Sequence, residues 1–248
     1  MCTLIIAVSM WAGAPLVVAA NRDENLQRPA ESPALRDNDG VRVLAPLDVQ
    51  AGGTWLGVNA FGVFAGLTNR FTPSPNPQAR SRGKLVLDAL RGASAVDAAD
   101  AVSLSAPSLH NPFHLLVADR TSAHLVWNDG HKLSRHRLQP GLHVLTERSL
   151  DAAPSKRLEL LPRLVRPLAE AGLPTMETWR QLLSHRDDPP LEGVNVLDRG
   201  RNYGTRSSTV VQLSDDPQRQ SFFHASGPPD ETPYAAFSDK LRELLAAG

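Results

Sequence analysis

Two apolar, partly β-branched runs open the chain, Thr3–Ser9 and Leu16–Asn21, separated by Gly13-Ala14-Pro15. Short apolar runs punctuated by turn residues predict a pair of strands buried on both faces. A polar, proline-bearing stretch follows to about Gln50, with no strand or helix assigned. Gly53–Asn59 and Gly62–Thr68 predict a second strand pair turning at Ala60-Phe61, and Arg70–Asn76, rich in proline and polar groups, a loop. Ser81 opens a helix with apolar Leu85, Val86, Ala89 and Leu90 that Gly92 ends. Ser94, with Asp97 three residues on, has the form of a capping box for a helix to about Leu104. Phe113–Asp119 and Ala123–Asn128 predict a hairpin, and Leu142–Thr146 a further strand. Lys156–Ala171 reads as helix with a kink or break at Pro162 and Pro167, and Thr175–Ser184 as a short helix. His185–Tyr203 reads as loop, and Ser208–Leu213 with Ser221–Ala225 as a last hairpin. Thr232 with Pro233 behind it predicts the cap and first position of a final helix.

Strand pairs alternating with helices place the chain in the α+β class, with antiparallel sheets covered by helical layers. No internal repeat and no linker divides it, so a single domain over residues 1–248 is expected. The chain is long enough for a substantial core. A formal net charge of zero leaves no field to recruit nucleic acid or an anionic membrane over the whole surface. The apolar stretch Leu4–Ala20 is interrupted by Gly13 and Pro15 and is short for a spanning helix. No membrane-spanning segment is expected, and the expected location is cytoplasmic.

The single cysteine is Cys2. It excludes an internal disulfide, and no CxxC metal site is present. Six histidines between His110 and His143 scatter over strands and turns, without ligand spacing. No metal and no cofactor is expected. Removal of Met1 would leave Cys2 with a thiol titrating near ~8.5 beside an α-amine near ~7.7–8.0, nucleophile and base in one residue. The alternative for a lone cysteine is a small buried hydrophobe. Asn21-Arg22-Asp23-Glu24 ends the strand paired with that of Cys2. By strand alternation Asn21 and Asp23 point one way and Arg22 the other, and the hairpin brings Asp23 near the N-terminus. The alternative there is a charged turn with a surface ion pair.

Met1-Cys2-Thr3, a hairpin and Asn21-Arg22-Asp23-Glu24 resemble the NRDE, or transport-and-Golgi-organisation protein 2, family. Arg28-Pro29, Gly52 through Asn59, Gly66-Leu67-Thr68-Asn69, Ser81-Arg82-Gly83 and Tyr203 through Val210 extend the resemblance over most of the chain. The family is similar to N-terminal-nucleophile (Ntn) hydrolases of the choloylglycine and penicillin V amidase type. That implies a four-layer αββα fold, with two stacked antiparallel sheets between helical layers. It also implies roles: Cys2 as nucleophile, Asp23 holding the amino group or thiol, and Asn69 as oxyanion donor. Asn21, Asn59, Glu147 and Arg206 fall at substrate-binding positions. Glu147 stands where the amidases carry an asparagine, and Ala20 where they carry an arginine. An ionised carboxylate at that place would repel an oxyanion that donors should stabilise. Arg206 has the guanidinium fork that clamps a carboxylate or phosphate, or else is a surface arginine.

Two functions follow from the resemblance. One is a cysteine Ntn hydrolase cleaving a C–N amide or thioester of a small acylated molecule. The other is a non-catalytic handler of a hydrophobic ligand, haem or an acyl-lipid. Intact Cys2 and Asp23 favour the first; Glu147 and Ala20 favour the second.

Overall fold

The computed structural model describes residues 2–148, 156–187 and 191–248. The chain divides into two compact units, Met1–Arg28 with Pro140–Phe237, and Pro29–Gln139 with Ser238–Gly248. Each contains an antiparallel sheet with helices packed on it, a mixed α+β composition.

The first unit starts with β1 (Cys2–Trp11) and β2 (Ala14–Asn25), the two apolar runs, extended at both ends. The second unit then begins, and here the polar stretch to Gln50, for which the pattern predicts no element, forms a hairpin of β3 (Ala30–Asn38) and β4 (Val41–Asp48). Asp39 and Gly40 turn it, both at positive φ (55° and 87°), the conformation that a two-residue hairpin turn needs. Pro33 is accommodated because β3 is an edge strand and its pairing shifts register between Glu31 and Ala34. The meander continues through β5 (Leu56–Asn59) and β6 (Phe64–Asn69). Helices α1 (Arg82–Ala89) and α2 (Ala95–Ser103) come next, capped by Ser81 and Ser94 as expected. Strands β7 (Phe113–Ala118) and β8 (Ala123–Asn128) form their hairpin, and β9 (Leu133–Arg137) adds a strand that the half-exposed polar sequence conceals. In this sheet the strands lie in chain order, and α1 and α2 bury Leu85, Val86, Ala89, Ala98 and Val102 against it.

The chain returns to the first unit with β10 (Gly141–Leu145), α3 (Lys156–Glu170), α4 (Met176–Leu183), the short β11 (Leu197–Asp198), β12 (Tyr203–Leu213), β13 (Ser221–Ala225) and the short β14 (Ala235–Ala236). The order in the sheet is β10-β1-β2-β12-β13-β14, with β11 paired to β12. Helix α3 runs unbroken through Pro162 and Pro167. Both prolines are exposed, opposite the buried stripe of Leu161, Val165 and Leu168. Residues Ile5, Ala7, Val17, Ala19 and Val210 pack one sheet face against α3 and α4.

The final helix does not start at Thr232. It is α5 (Ser238–Ala246), in the second unit. The segment from Pro233 is held instead by the β14 pairing and by Phe237 N–H donating to Phe222 O at 2.7 Å. No helix of the described residues is long and apolar enough to cross a membrane.

Candidate active site

Register decides what surrounds Cys2. In the β1–β2 hairpin Cys2 lies opposite Arg22 and Thr3 opposite Asn21. Residues directly opposite in an antiparallel pair share a face. Thr3 and Asn21 therefore continue the helix-covered face of Ile5, Ala7, Val17 and Ala19, and Cys2 shares the other face with Arg22. Strand β12 extends both rows: Ser208 pairs with Asn21, Ser207 with Arg22 and Thr209 with Ala20. His224 of β13 pairs with Thr209. Cys2, Arg22, Ser207, Thr209 and His224 thus form one continuous polar patch of five buried residues.

A bulge completes that patch. Thr205 pairs with Asp23 and Ser207 with Arg22, the adjacent residue, so Arg206 is the extra residue of β12. Bulges re-aim side chains in this way. Arg206 Nη1 donates to Ser226 O at 2.8 Å. Burial, then the charges of Arg206 and Arg22, push His224 down to about 4, so it is neutral at pH 7, with Nδ1 2.9 Å from Thr209 Oγ1.

While Met1 precedes it, the Cys2 thiol sits in surroundings that favour its neutral form. Burial lifts its pKa above the usual value and outweighs the other influences. The terminal ammonium, the Asp23 backbone N–H and Arg22 act against that rise, while the Asp23 carboxylate adds to it. A thiol with 8% of its surface exposed sheds little charge into solvent.

On the other face the polar groups are tied together. Asn21 Nδ2 donates to Leu183 O and Val194 O, each at 2.9 Å, and its Oδ1 accepts from Ser208 Oγ at 2.6 Å. Ser208 Oγ also meets Tyr234 Oη at 2.6 Å. Asp23 Oδ1 accepts from Thr205 Oγ1 at 2.8 Å, and that oxygen accepts from Val196 N–H at 2.9 Å. Asn21 is thus an anchor for α4 and the loop after it. The Asp23 backbone N–H hydrogen-bonds the thiol.

Glu147 follows β10, two residues beyond Leu145, which pairs with Leu4. That places it at the same end of the sheet as Cys2. Asn59 and Asn69 belong to the second unit's sheet. Asn59 is fully buried and spends its side chain at a turn: Nδ2 donates to Leu90 O and Gly92 O, and Oδ1 accepts from Val63 N–H. Asn69 is the partly exposed last residue of β6, opposite Phe113. Several motif positions have backbone reasons. A Cβ on Gly53 would meet the Gly83 backbone at 2.5 Å, and one on Gly204 would meet Val196 O at 2.7 Å.

Sequence reasoning passed over Arg22, Ser207 and His224. The even spacing Ala20–Arg22 on β2 was a usable signal for Arg22 once Cys2 was given its partner; the β12 bulge has no sequence signature. No group of three or more His, Cys, Asp or Glu among the described residues could hold a metal ion.

The solved structures most like this fold include a Caenorhabditis elegans N-acylethanolamine-hydrolyzing acid amidase ortholog, with a TM-score of 0.62, 16% identity and coverage of 85% of this chain and 92% of that one. Penicillin V acylase from Agrobacterium tumefaciens gives 0.50 at 15% identity, covering 91% and 83%. A variant of conjugated bile acid hydrolase from Clostridium perfringens gives 0.52 at 12%, covering 98% and 94%. The α+β fold is therefore that of the Ntn hydrolases. By sequence, the Bos taurus Transport and Golgi organization protein 2 homolog is 32% identical over 232 residues, 81% of this chain and 83% of the relative. The Mus musculus homolog is 30% identical over 227 residues, 79% and 81%. The model of the Transport and Golgi organisation 2 family matches residues 1–225, from the cysteine through the last hairpin, and the chain belongs to that family.

Proposed function

We propose that the protein is a cysteine N-terminal-nucleophile hydrolase that cleaves an amide or thioester bond of a small acylated molecule. The observation that carries this reading is Cys2 paired with Arg22 and touched by the Asp23 N–H, at the end of a hairpin in an Ntn-hydrolase fold. Removal of Met1 would put the free amine on Cys2 itself. Cys2 Sγ attacks the acyl carbon as its proton passes to that amine, and the amine returns the proton to the departing nitrogen or sulfur. Water then cleaves the acyl-thioester and restores the thiol. Asp23 would orient the amine from the sheet face opposite the thiol. The positive charge of Arg22 would favour thiolate once substrate displaces water.

Intact mass establishes whether Met1 is removed. Purified protein is then assayed on medium-chain acyl p-nitroanilides and acyl thioesters, as wild type, Cys2→Ala and Glu147→Asn. Turnover that disappears in Cys2→Ala is expected. Glu147→Asn should raise it if that carboxylate faces the developing oxyanion, by up to about 10²–10³-fold for one restored donor. Retention of Met1, or no Cys2-dependent turnover in either form, refutes the reading.

Glu147, at the Cys2 end of the sheet where the amidases carry an asparagine, favours a second reading, a non-catalytic handler of a hydrophobic ligand such as haem or an acyl-lipid. Saturable binding of such a ligand without any turnover would select it.

A further inference from the structure

The patch beside Cys2 contains polar groups that the fold itself does not use. Ser207 is 3% exposed and its Oγ is buried with no partner. Arg206 is half-buried, and Nη1 is spent on Ser226 O. Its Nε is also buried with no partner. The guanidinium edge left over, Nε with Nη2, is the edge that takes a carboxylate or phosphate side-on. No carboxylate among the described residues forms an ion pair with Arg206. Arg22, opposite Ser207 in register, has Glu24 at 3.9 Å, and Glu24 lies equally far from Arg28. His224, the remaining titratable group of the patch, is neutral at pH 7.

A buried guanidinium Nε–H without an acceptor, next to a buried hydroxyl without a partner, is unfavourable unless something supplies the missing atoms. One bound oxyanion does both. It offers one oxygen to Arg206 Nε and Nη2, another to Ser207 Oγ, and negative charge to Arg22. A neutral ligand would leave both the charge and the Nε donor unmatched. The β12 bulge supports a built site, since it puts Arg206 and Ser207 together on the face that Cys2 occupies.

We propose that Arg206 and Ser207, flanked by Arg22, form a binding subsite for an anionic group, a carboxylate or a phosphate, carried by the molecule whose acyl portion meets Cys2. The clause about Cys2 rests on the hydrolase reading; the anion subsite does not. The substrate class narrows accordingly, from any acyl amide or thioester to one with a fixed negative charge near its acyl end.

The test measures binding by calorimetry on the full chain carrying Cys2→Ala, so that failure of hydrolysis does not enter. Decanoate, decyl phosphate, decanol and decyltrimethylammonium are compared below their micelle concentrations. The two anions should bind at least about 10-fold more tightly than decanol, as charge-assisted hydrogen bonds imply, and the ammonium more weakly still. The ratio of decanoate to decyl phosphate tells which oxyanion the site takes. Arg206→Gln should abolish the preference for anions, Arg206→Lys should restore part of it, and Ser207→Ala should weaken anion binding several-fold while leaving decanol unchanged. Equal binding of decanol and the anions, no binding of any probe, or a preference that survives in both Arg206→Gln and Ser207→Ala overturns the proposal. A positive binding result with no turnover in the Cys2 assay would keep the subsite and discard the hydrolase.

Discussion

The two faces of the first unit's sheet treat the same kinds of residues in opposite ways. On the helix-covered face, Asn21, Asp23, Thr205, Ser208 and Tyr234 give their side-chain polar atoms to one another or to the backbone of α4 and its following loop. On the Cys2 face, one residue along on the same strands, Ser207 Oγ and Arg206 Nε are buried without partners beside a buried thiol. A fold gains nothing by burying unmatched donors, so two adjacent ones on one strand call for an explanation. The Asn21 face holds the fold together, and the Cys2 face is the one on which we propose binding.

Acid should produce the largest separation. His224, on the Cys2 face, titrates at about 4 in the fold against an ordinary 6.5. Between those values the unfolded chain binds more protons, so stability rises with pH. The contribution is present in full above about 6.5 and is lost as pH falls towards 4, at most about 3 kcal/mol for one such group. His114 in the second unit is pushed down to about 4 as well, by burial and then Arg70, and adds a similar loss. Urea denaturation at pH 7 and 4.5 should show a steep fall in wild type and a shallower one in His224→Gln. Equal slopes in the two proteins would mean that His224 is not held neutral, and that the Cys2 face is more polar than described.

Asn21→Ala should come next. It removes three buried hydrogen bonds and leaves Leu183 O and Val194 O without a donor, a loss of about 2–4 kcal/mol. Denaturant midpoints measure it. A loss below about 1 kcal/mol would place Asn21 outside the structural network and reopen its assignment to substrate.

These contrasts show where the sequence was readable. Both strand runs, the Ser81 and Ser94 helix starts and the short helix after Thr175 follow from local patterning, because apolar runs and caps act within a few residues. Strands β3, β4 and β9 did not follow: β3 and β9 are half-exposed and polar, and β4, though buried at its centre, lies in a proline-bearing stretch, so each owes its strand form to pairing with the strand beside it. The same divide applies to the site. The chemistry of Cys2 and the opposed directions of Arg22 and Asp23 were legible from type and alternation. That Cys2 shares the face of Arg22 depends on register, and that Arg206 joins them depends on a bulge between Thr205 and Ser207. Neither leaves a mark in residue identities.

The smallest expected effect is the sharpest discriminator, because it compares two residues of one strand. Thr205 and Ser207 are two positions apart on β12, both buried, both β-hydroxyl side chains, separated by the bulge. Thr205 Oγ1 donates to Asp23 and accepts from Val196 N–H, so Thr205→Val keeps the shape and removes one donor from the carboxylate and the acceptor of that amide. A cost of about 1–3 kcal/mol is expected. Ser207 Oγ has no partner to lose, so Ser207→Ala removes only an uncompensated buried hydroxyl. Stability should then stay within about 0.5 kcal/mol or rise slightly. Both variants unfolded in urea beside wild type, without ligand, give the two numbers directly. A destabilisation by Ser207→Ala as large as that by Thr205→Val would mean that Ser207 serves the fold as Thr205 does, and the distinction between the two faces would fail at its closest point.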